Sequence, residues 1–295
     1  MNYIAQIIVI IEIYIMLGIS LNLVGGYSGI LTLCTAAFYG LGAYICAIMA
    51  INYNTNFAIN VVITCVSTGI IAFMVGNQGK RMCDEHFLFL TVAFQIIISC
   101  IFKNWIALTK GPMGITGIPN IYIFGLNFDS SFDFVLLAGI FCGFSFWVCM
   151  WIVNSPFGRI LKTIREDEVF ALAGGKNVGN YKVIVFVVGS LIASVAGALY
   201  AHYITFIDPS SFTVMESIFI LSIVIIGGAG SLWGPVVGAV VLVSLPEILR
   251  FVGMPSSVAA NLRQIIYGAL LVVFMMWRPQ GLLGQYSFQK LSTKE

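Results

Sequence analysis

The side chains able to do chemistry are few and widely scattered. The chain has two histidines, His86 and His202, far apart in sequence, which argues against a histidine-based metal or catalytic centre. Its seven cysteines (Cys34, Cys46, Cys65, Cys83, Cys100, Cys142 and Cys149) form no C-x-x-C pair. Six lie in apolar runs and Cys83 sits in a short polar loop, so they are read as small apolar fillers, neither disulfides nor a metal site. The run AGGKNVG at 173–179 lacks the spacing of a phosphate-binding loop. H-E-x-x-H and G-x-S-x-G are both missing from the sequence. The expectation is therefore no catalytic residue, no metal and no cofactor, which leaves transport, channel or scaffold roles.

Two kinds of polar residue remain. The first are isolated groups inside apolar runs: Glu12, Asn22, Thr35, Gln95, Glu216 and Glu247. Unpaired polar and ionisable groups are costly in hydrocarbon, so Asn22, Thr35, Gln95 and Glu216 are expected to border a polar path. The second is one continuous polar island, Ser155 to Lys182, holding Arg159, Lys162, Arg165, Lys176 and Lys182 with Glu166, Asp167 and Glu168.

The elements that position these groups follow from composition. Hydrophobic residues make up 60% and charged residues 9%, with mean hydropathy +1.01. A soluble fold carries about 25% charged residues, so the chain reads as an all-α transmembrane protein. Apolar runs lie near 3–24, 29–51, 57–77, 86–103, 133–153, 183–206, 214–229, 232–249 and 260–277. With roughly 20 residues needed per span, they predict a helical bundle of about 8–10 spans, with Gly-rich breaks at 25–29 and 227–234. The net charge of +2 carries no information about partners. The start reads as a first membrane helix, because it lacks the basic region and cleavage site of a signal peptide.

A basic loop between spans marks the cytoplasmic face. Lys80 and Arg81 in the 78–85 loop fall on that side after two crossings, as does the tail with Arg278, Lys290 and Lys294. The 104–132 connection falls on the opposite side and reads as turns and a surface cap. The side of the N-terminus depends on how 25–29 is built.

Small residues punctuate the spans. Gly25 to Tyr44 is crowded with Gly, Ala, Ser and Thr, a composition that suits close helix packing or a helix lining a polar path. Gly189, Ala193, Gly197 and Ala201 recur every four residues, as do Gly230, Gly234 and Gly238. Both stripes predict tight helix crossings. Pro235 inside the second implies a kink or a helix start. His202 reads as a packing or interfacial residue. In the polar island, apolar residues from Ile160 to Leu172 could form one side of short helices, stopped by Gly174-Gly175. Such a helix could meet a soluble partner or lie on anionic lipid; the pattern alone leaves both open.

Six stretches, in order, carry a family resemblance: SLNLVGGYSGILTL with AAFYGLGAY (20–44), NW-x(3)-T-x-GP-x-GI-x-GIP (104–119), SPFGRILKTIREDE (155–168), YK with AGALYAHY (181–203), GGAGSLWGPVVGA (227–239) and RPQGLLG (278–284). The chain resembles the permease subunits of branched-chain amino acid ABC importers, the LivM-like half, nearly end to end. That resemblance implies a permease domain over 1–285, a cytoplasmic coupling loop at 155–182 and a short cytoplasmic tail at 286–295. It also implies a bacterial cytoplasmic-membrane location. The implied partners are a second homologous permease, cytoplasmic ATPases and an extracytoplasmic binding protein, with membrane lipid around them and no nucleic acid. Arg165, Glu166, Asp167, Glu168, Ala171 and Gly175 would then belong to the ATPase-coupling segment, where Phe170 replaces a usual alanine. The implied cargo is branched-chain or other small amino acids, with urea or short amides as the near alternative. A secondary transporter or channel is a further alternative. Cys34-Thr35 stands where the family usually has Gly-His, Gln95 where it often has Glu, and Phe219 likewise, with Glu216 three residues before it. These departures bear on substrate, not on fold.

Overall fold

The apolar runs become helices, but two of them start later than their sequence suggests. The computed structural model describes residues 2–53, 55–80, 82–119, 121–123, 126–127 and 131–251, with 268–269, 272–273, 276 and 280–284 near the C-terminal end. Helix α1 (Asn2–Leu21) continues without interruption into a wider π-helical turn, Asn22–Tyr27. Then come α2 (Thr35–Tyr53), α3 (Phe57–Gly79), α4 (Asp84–Asn104), the one-turn α5 (Ile106–Thr109) and α6 (Ser131–Asn154). The polar island forms α7 (Pro156–Glu166) and α8 (Glu168–Ala173). It is followed by α9 (Val178–Ile204), α10 (Val214–Gly227) and α11 (Gly234–Phe251). Among the described residues six helices are long and apolar enough to cross a membrane, and α10 with the stretch 234–245 adds two shorter apolar helices. Most of the 260–277 run, Arg81, Arg278 and the 286–295 tail lie outside the described residues. The chain is an all-helical, multi-pass membrane protein.

Helix α9 is the hub, packed against α1, α2 and α3. Its small-residue stripe makes this possible. A Cβ on Gly197 would strike the Tyr39 carbonyl oxygen of α2, and one on Gly189 would meet Val24 and the Ser20 carbonyl of α1. Ala193 and Ala201 are wholly buried between them. On the α2 side Gly42 lies directly on the Ser194 backbone. Close backbone approach of this kind is what association inside a bilayer rests on, because lipid tails compete for every purely apolar contact. The Ser20 hydroxyl adds a bond to the Gly189 carbonyl at 2.7 Å, and the Thr68 hydroxyl donates to the Ser194 hydroxyl at 3.1 Å.

The second glycine stripe is built otherwise than expected. Gly230 has φ +79° and lies in the turn between α10 and α11, not in a helix. The helix begins at Gly234 with Pro235 in its first turn, where a missing N–H costs nothing. Gly230, Gly234 and Gly238 therefore do not share one helical face. Gly234 and Gly238 instead let α11 fold back on the carbonyls of Gly228 and Ile223. The expected break is present, as the tip of a short helical hairpin.

The joint at 25–29 resolves differently again. Gly25 and Gly26 stay inside the π-turn, and the true break is the non-helical stretch 29–34. Ile30, Thr32 and Cys34 of that stretch are buried in protein, the condition under which irregular backbone is tolerated at membrane depth. The Gly26 carbonyl accepts a hydrogen bond from the Arg165 guanidinium. The end of α1 therefore lies on the face of the polar island, and Asn2 lies toward the opposite face, about 39 Å away for 26 helical residues.

Within 104–132, Ile115, Ile118 and Ile121 are buried, and Ile115–Thr116 pairs antiparallel with Phe206–Ile207. His202 packs here: its Nδ1 lies 2.8 Å from the Pro119 carbonyl, its Nε2 3.4 Å from Cys46 Sγ, and its ring meets Phe57 edge-on.

Candidate functional site

Two breaks interrupt the helical bundle. One is 29–34, which leads into α2; the other is 205–213, which leads into α10. Thr205 ends α9 in the left-handed region at φ +57°, and a 3-10 turn, Pro209–Phe212, inserts Phe212 among Tyr39, Tyr44, Phe102 and Tyr200. Interrupted helices leave backbone groups without partners, and α4 supplies them. Gln95 Nε2 donates to the Phe212 carbonyl at 2.9 Å, and the Ser99 hydroxyl donates to the same oxygen at 3.0 Å. The Thr91 hydroxyl accepts from Leu33 N at 3.3 Å. The Ser217 hydroxyl accepts from Ala36 N at 3.1 Å and donates to Gln95 Oε1 at 3.4 Å. Gln95, fully buried, thus links the starts of both broken helices.

The other two polar candidates lie at separate points. Tyr14 Oη of α1 donates to Glu216 Oε1 at 2.5 Å, and the Tyr14 ring meets Phe219 edge-on at 5.2 Å. Glu216 and Phe219 therefore do share a helix face, as their spacing implies. Asn22 is committed to structure: its Oδ1 accepts from Gly230 N at 2.9 Å and its Nδ2 donates to the Ser231 carbonyl at 2.8 Å. Asn22 thus clamps the α10–α11 hairpin tip onto α1.

Thr35, the first residue of α2, lines a narrow cleft together with Ser20, Leu21, Val24, Thr32, Cys34, Phe38, Phe186, Gly189, Ser190 and Ala193. So the four path candidates do not form one cluster. Sequence reasoning noted Thr32 only as one of the small and hydroxyl residues of 25–44 and missed Thr91, Ser99 and Ser217, hydroxyls whose position in apolar runs was the available signal.

The polar island is the second part of the site. Each of its helices is capped by the residue before it: Ser155 accepts from Gly158 N at 3.4 Å, Asp167 from Val169 N at 2.9 Å and Phe170 N at 3.0 Å, and Asn177 from Asn180 N at 3.3 Å. These caps satisfy N–H groups that a helix leaves open. Helix α7 buries Gly158, Leu161 and Ile164 against the bundle. Ile164, Ala171 and Val178 form a small apolar nucleus under α8. Ala171 therefore faces inward, on the apolar side its pattern assigned it, and Arg165 turns back to Gly26. The outer surface carries Glu166, Asp167, Glu168, Val169, Phe170, Leu172 and Gly175, all exposed. Val169 and Phe170 are 74% and 69% exposed, an apolar pair too bare for a tip that meets only water. Lys182 Nζ pairs with Glu168 at 2.8 Å and Asp84 at 2.7 Å, tying α8 to the bases of α9 and α4.

A multi-pass helical protein with paired broken helices and a capped, exposed helix pair on its basic face has the build of a transport permease. The family described as "Branched-chain amino acid transport system / permease component" matches residues 3–275, and the chain belongs to it. It is 31% identical over 294 residues to the high-affinity branched-chain amino acid transport system permease protein LivM of Escherichia coli K12, covering 92% of this chain and 68% of that one. The LivM protein of Salmonella typhimurium is 32% identical with the same coverage. The LivH protein of Salmonella typhimurium is 23% identical, covering 94% of this chain and 93% of that one. No solved structure matches the chain.

Proposed function

We propose that this chain is the LivM-like half of an ATP-driven importer for branched-chain or other small amino acids. Its permease domain would span 1–285, with a cytoplasmic tail at 286–295. A second, homologous permease completes the translocation path, two cytoplasmic ATPases drive it, and an extracytoplasmic binding protein delivers the cargo. One observation carries the coupling: the exposed Val169, Phe170 and Leu172 row on α8 sits on a helix pair bonded directly to α1 through Arg165 and to α4 and α9 through Lys182. A push on α8 therefore reaches three membrane helices without a flexible joint. The cargo rests on the LivM and LivH relatives, whose names specify branched-chain amino acids.

The test is uptake of labelled leucine into vesicles holding the complete complex, with valine, isoleucine and urea as competitors. ATP-dependent uptake blocked by valine and isoleucine supports the proposal. Competition by urea alone would move the cargo to short amides. Uptake that needs no ATP would make the chain a secondary transporter or channel.

A further inference from the structure

We propose that the π-helical turn Asn22–Tyr27 is the joint that carries movement of the polar island to the tip of the α10–α11 hairpin, with Arg165 and Asn22 as its two positioning residues. The proposal rests on the importer reading above, which supplies the force on the island; it adds where in the bundle that force goes.

The island side of the joint is tightly held. The Arg165 guanidinium donates to the Gly26 carbonyl, inside the turn. The Arg165 stem lies against Gly29, where a Cβ would come within 3.3 Å of it. One turn earlier on α7, Lys162 Nζ stands 5.7 Å from the centre of the Tyr27 ring. Leu161 and Ile164 of the same helix are buried. Helix α7 therefore shifts only by taking the end of α1 with it.

The hairpin is attached at the same place. Asn22, the first residue of the turn, holds Gly230 N and the Ser231 carbonyl. Gly26 makes that possible: a Cβ there would collide with Asn22 Oδ1 and press on Gly230 N. One glycine thus accepts the bond from the island and leaves the space for the bond to the hairpin. Single π-turns inside α-helices occur chiefly at functional sites, and both attachments fall within this one.

The tip moves as a unit. Helix α10 ends at Gly227, where its last carbonyls have no partner within the helix. Leu282 N donates to the Ile226 carbonyl at 2.8 Å and Leu283 N to the Gly227 carbonyl at 2.9 Å, so a strap from the C-terminal end of the chain closes the open helix end. Gly281 of that strap packs on the Gly228 backbone with no room for a Cβ. Helix α1 also enters the fork of the hairpin at Gly18, beside Ile223 of α10 and Pro235 of α11. Near the start of α10, Tyr14 of α1 holds Glu216. Helix α10, 14 residues and about 21 Å long, is thus tied to α1 near both ends. Its first turn carries Ser217, which is bonded to Gln95 and to the start of α2. A displacement received at Gly26 therefore arrives where the two broken helices meet.

Hydrogen exchange in the full complex, reconstituted with its ATPases and binding protein, reads the joint without any substitution. On adding ATP with vanadate, amides of 22–29 and of 228–233 should change protection together and severalfold, while those of 60–72 in α3 stay as they were. A second measurement places a fluorophore on the tip at Leu232→Cys, or on the island at Arg159→Cys, with the seven native cysteines replaced by alanine. Both probes should respond to ATP with vanadate in the parent. Arg165→Met keeps the stem and removes the donors; it should retain the island response and lose the tip response, and Arg165→Lys should restore part of it. Gly26→Ala, which displaces Asn22, should also silence the tip. No change at 228–233 in a complex that still imports leucine, or a full tip response in both Arg165→Met and Gly26→Ala, would overturn the joint and leave the importer reading standing. A parent complex without ATP-driven leucine import fails the importer reading instead.

Discussion

Glu168 on α8 and Lys182 at the base of α9 lie 2.8 Å apart, with the carboxylate of Asp84 2.7 Å from the same ammonium on its other side. Lys182 is only 14% exposed at its side chain, whereas its two partners are 44% and 51% exposed. Surface pairs of this kind contribute roughly 0–1 kcal/mol to stability. The importance of the bridge is geometric: it fixes the angle at which α8 leaves the bundle.

Glu168→Lys is therefore expected to leave insertion and thermal stability nearly unchanged while lowering leucine uptake and the uptake-to-hydrolysis ratio. Gly175→Trp should do the same by another route. Gly175 has φ +71° with open space around it, so the substitution strains the backbone by about 1–2 kcal/mol and adds a bulky ring to an exposed tip. Uptake coupled to ATP hydrolysis is the measurement; normal coupling in both variants would remove α8 as the docking element.

Asn22→Leu should be among the most damaging single changes. It strands Gly230 N and the Ser231 carbonyl, both bonded to Asn22, at about 1–3 kcal/mol for each buried group. Asn22→Asp keeps the acceptor for Gly230 N and should lose less. Thermal unfolding in detergent, read by size-exclusion chromatography, ranks the two.

Close helix contacts give a paired prediction. Gly42→Leu drives a side chain into the Ser194 backbone, while a Cβ at Gly143, on the exposed side of α6, meets nothing within 4 Å. Overpacking costs roughly 1–3 kcal/mol, so Gly42→Leu should cut the yield of assembled protein severalfold and Gly143→Leu should not. Gly234→Leu belongs with the first, because its side chain would meet the Gly228 carbonyl.

Asp208 adds a pH effect on the face opposite the polar island. Burial pushes its carboxyl up, but hydroxyl donation from Ser210 and Ser211 outweighs burial and holds it below its ordinary 3.8. A depressed acid stabilises the fold fully above its unfolded pKa, and that contribution is lost as pH falls through the folded value. Hydrogen-exchange protection in 205–213, taken relative to the intrinsic rate at each pH, should therefore fall below about pH 4 in the parent, and Asp208→Asn should remove that pH dependence of protection.

Much of this architecture was legible in one dimension. Span-length apolar runs can only be helices in lipid, because every backbone group must find its partner inside the segment. The Gly189–Ala201 stripe and the packing role of His202 follow from residue type at fixed spacing, which is local physics. The late start of α2 was not legible, whereas the end of α9 and the start of α10 fall close to the ends of the apolar runs 183–206 and 214–229. Nothing around Gly29–Cys34 forbids helix outright, and that stretch is held open with Leu33 N bonded to Thr91 of α4; in 205–213 Pro209 breaks the helix locally, and α4 adds Gln95 and Ser99 to the Phe212 carbonyl.

The sequence by itself determined a helical membrane protein with one polar island and its likeness to a permease family, because hydropathy and helix period act over a few neighbouring residues. Only the tertiary structure decided that Gly230 turns while Gly234 packs, that Arg165 turns back to Gly26, that Asn22 is a clamp, and that Thr32 and Thr35 line one narrow cleft. Those outcomes depend on which distant backbone each side chain reaches. Asn22 and Gly230, 208 positions apart, become partners only when α1 and the α10–α11 hairpin pack together.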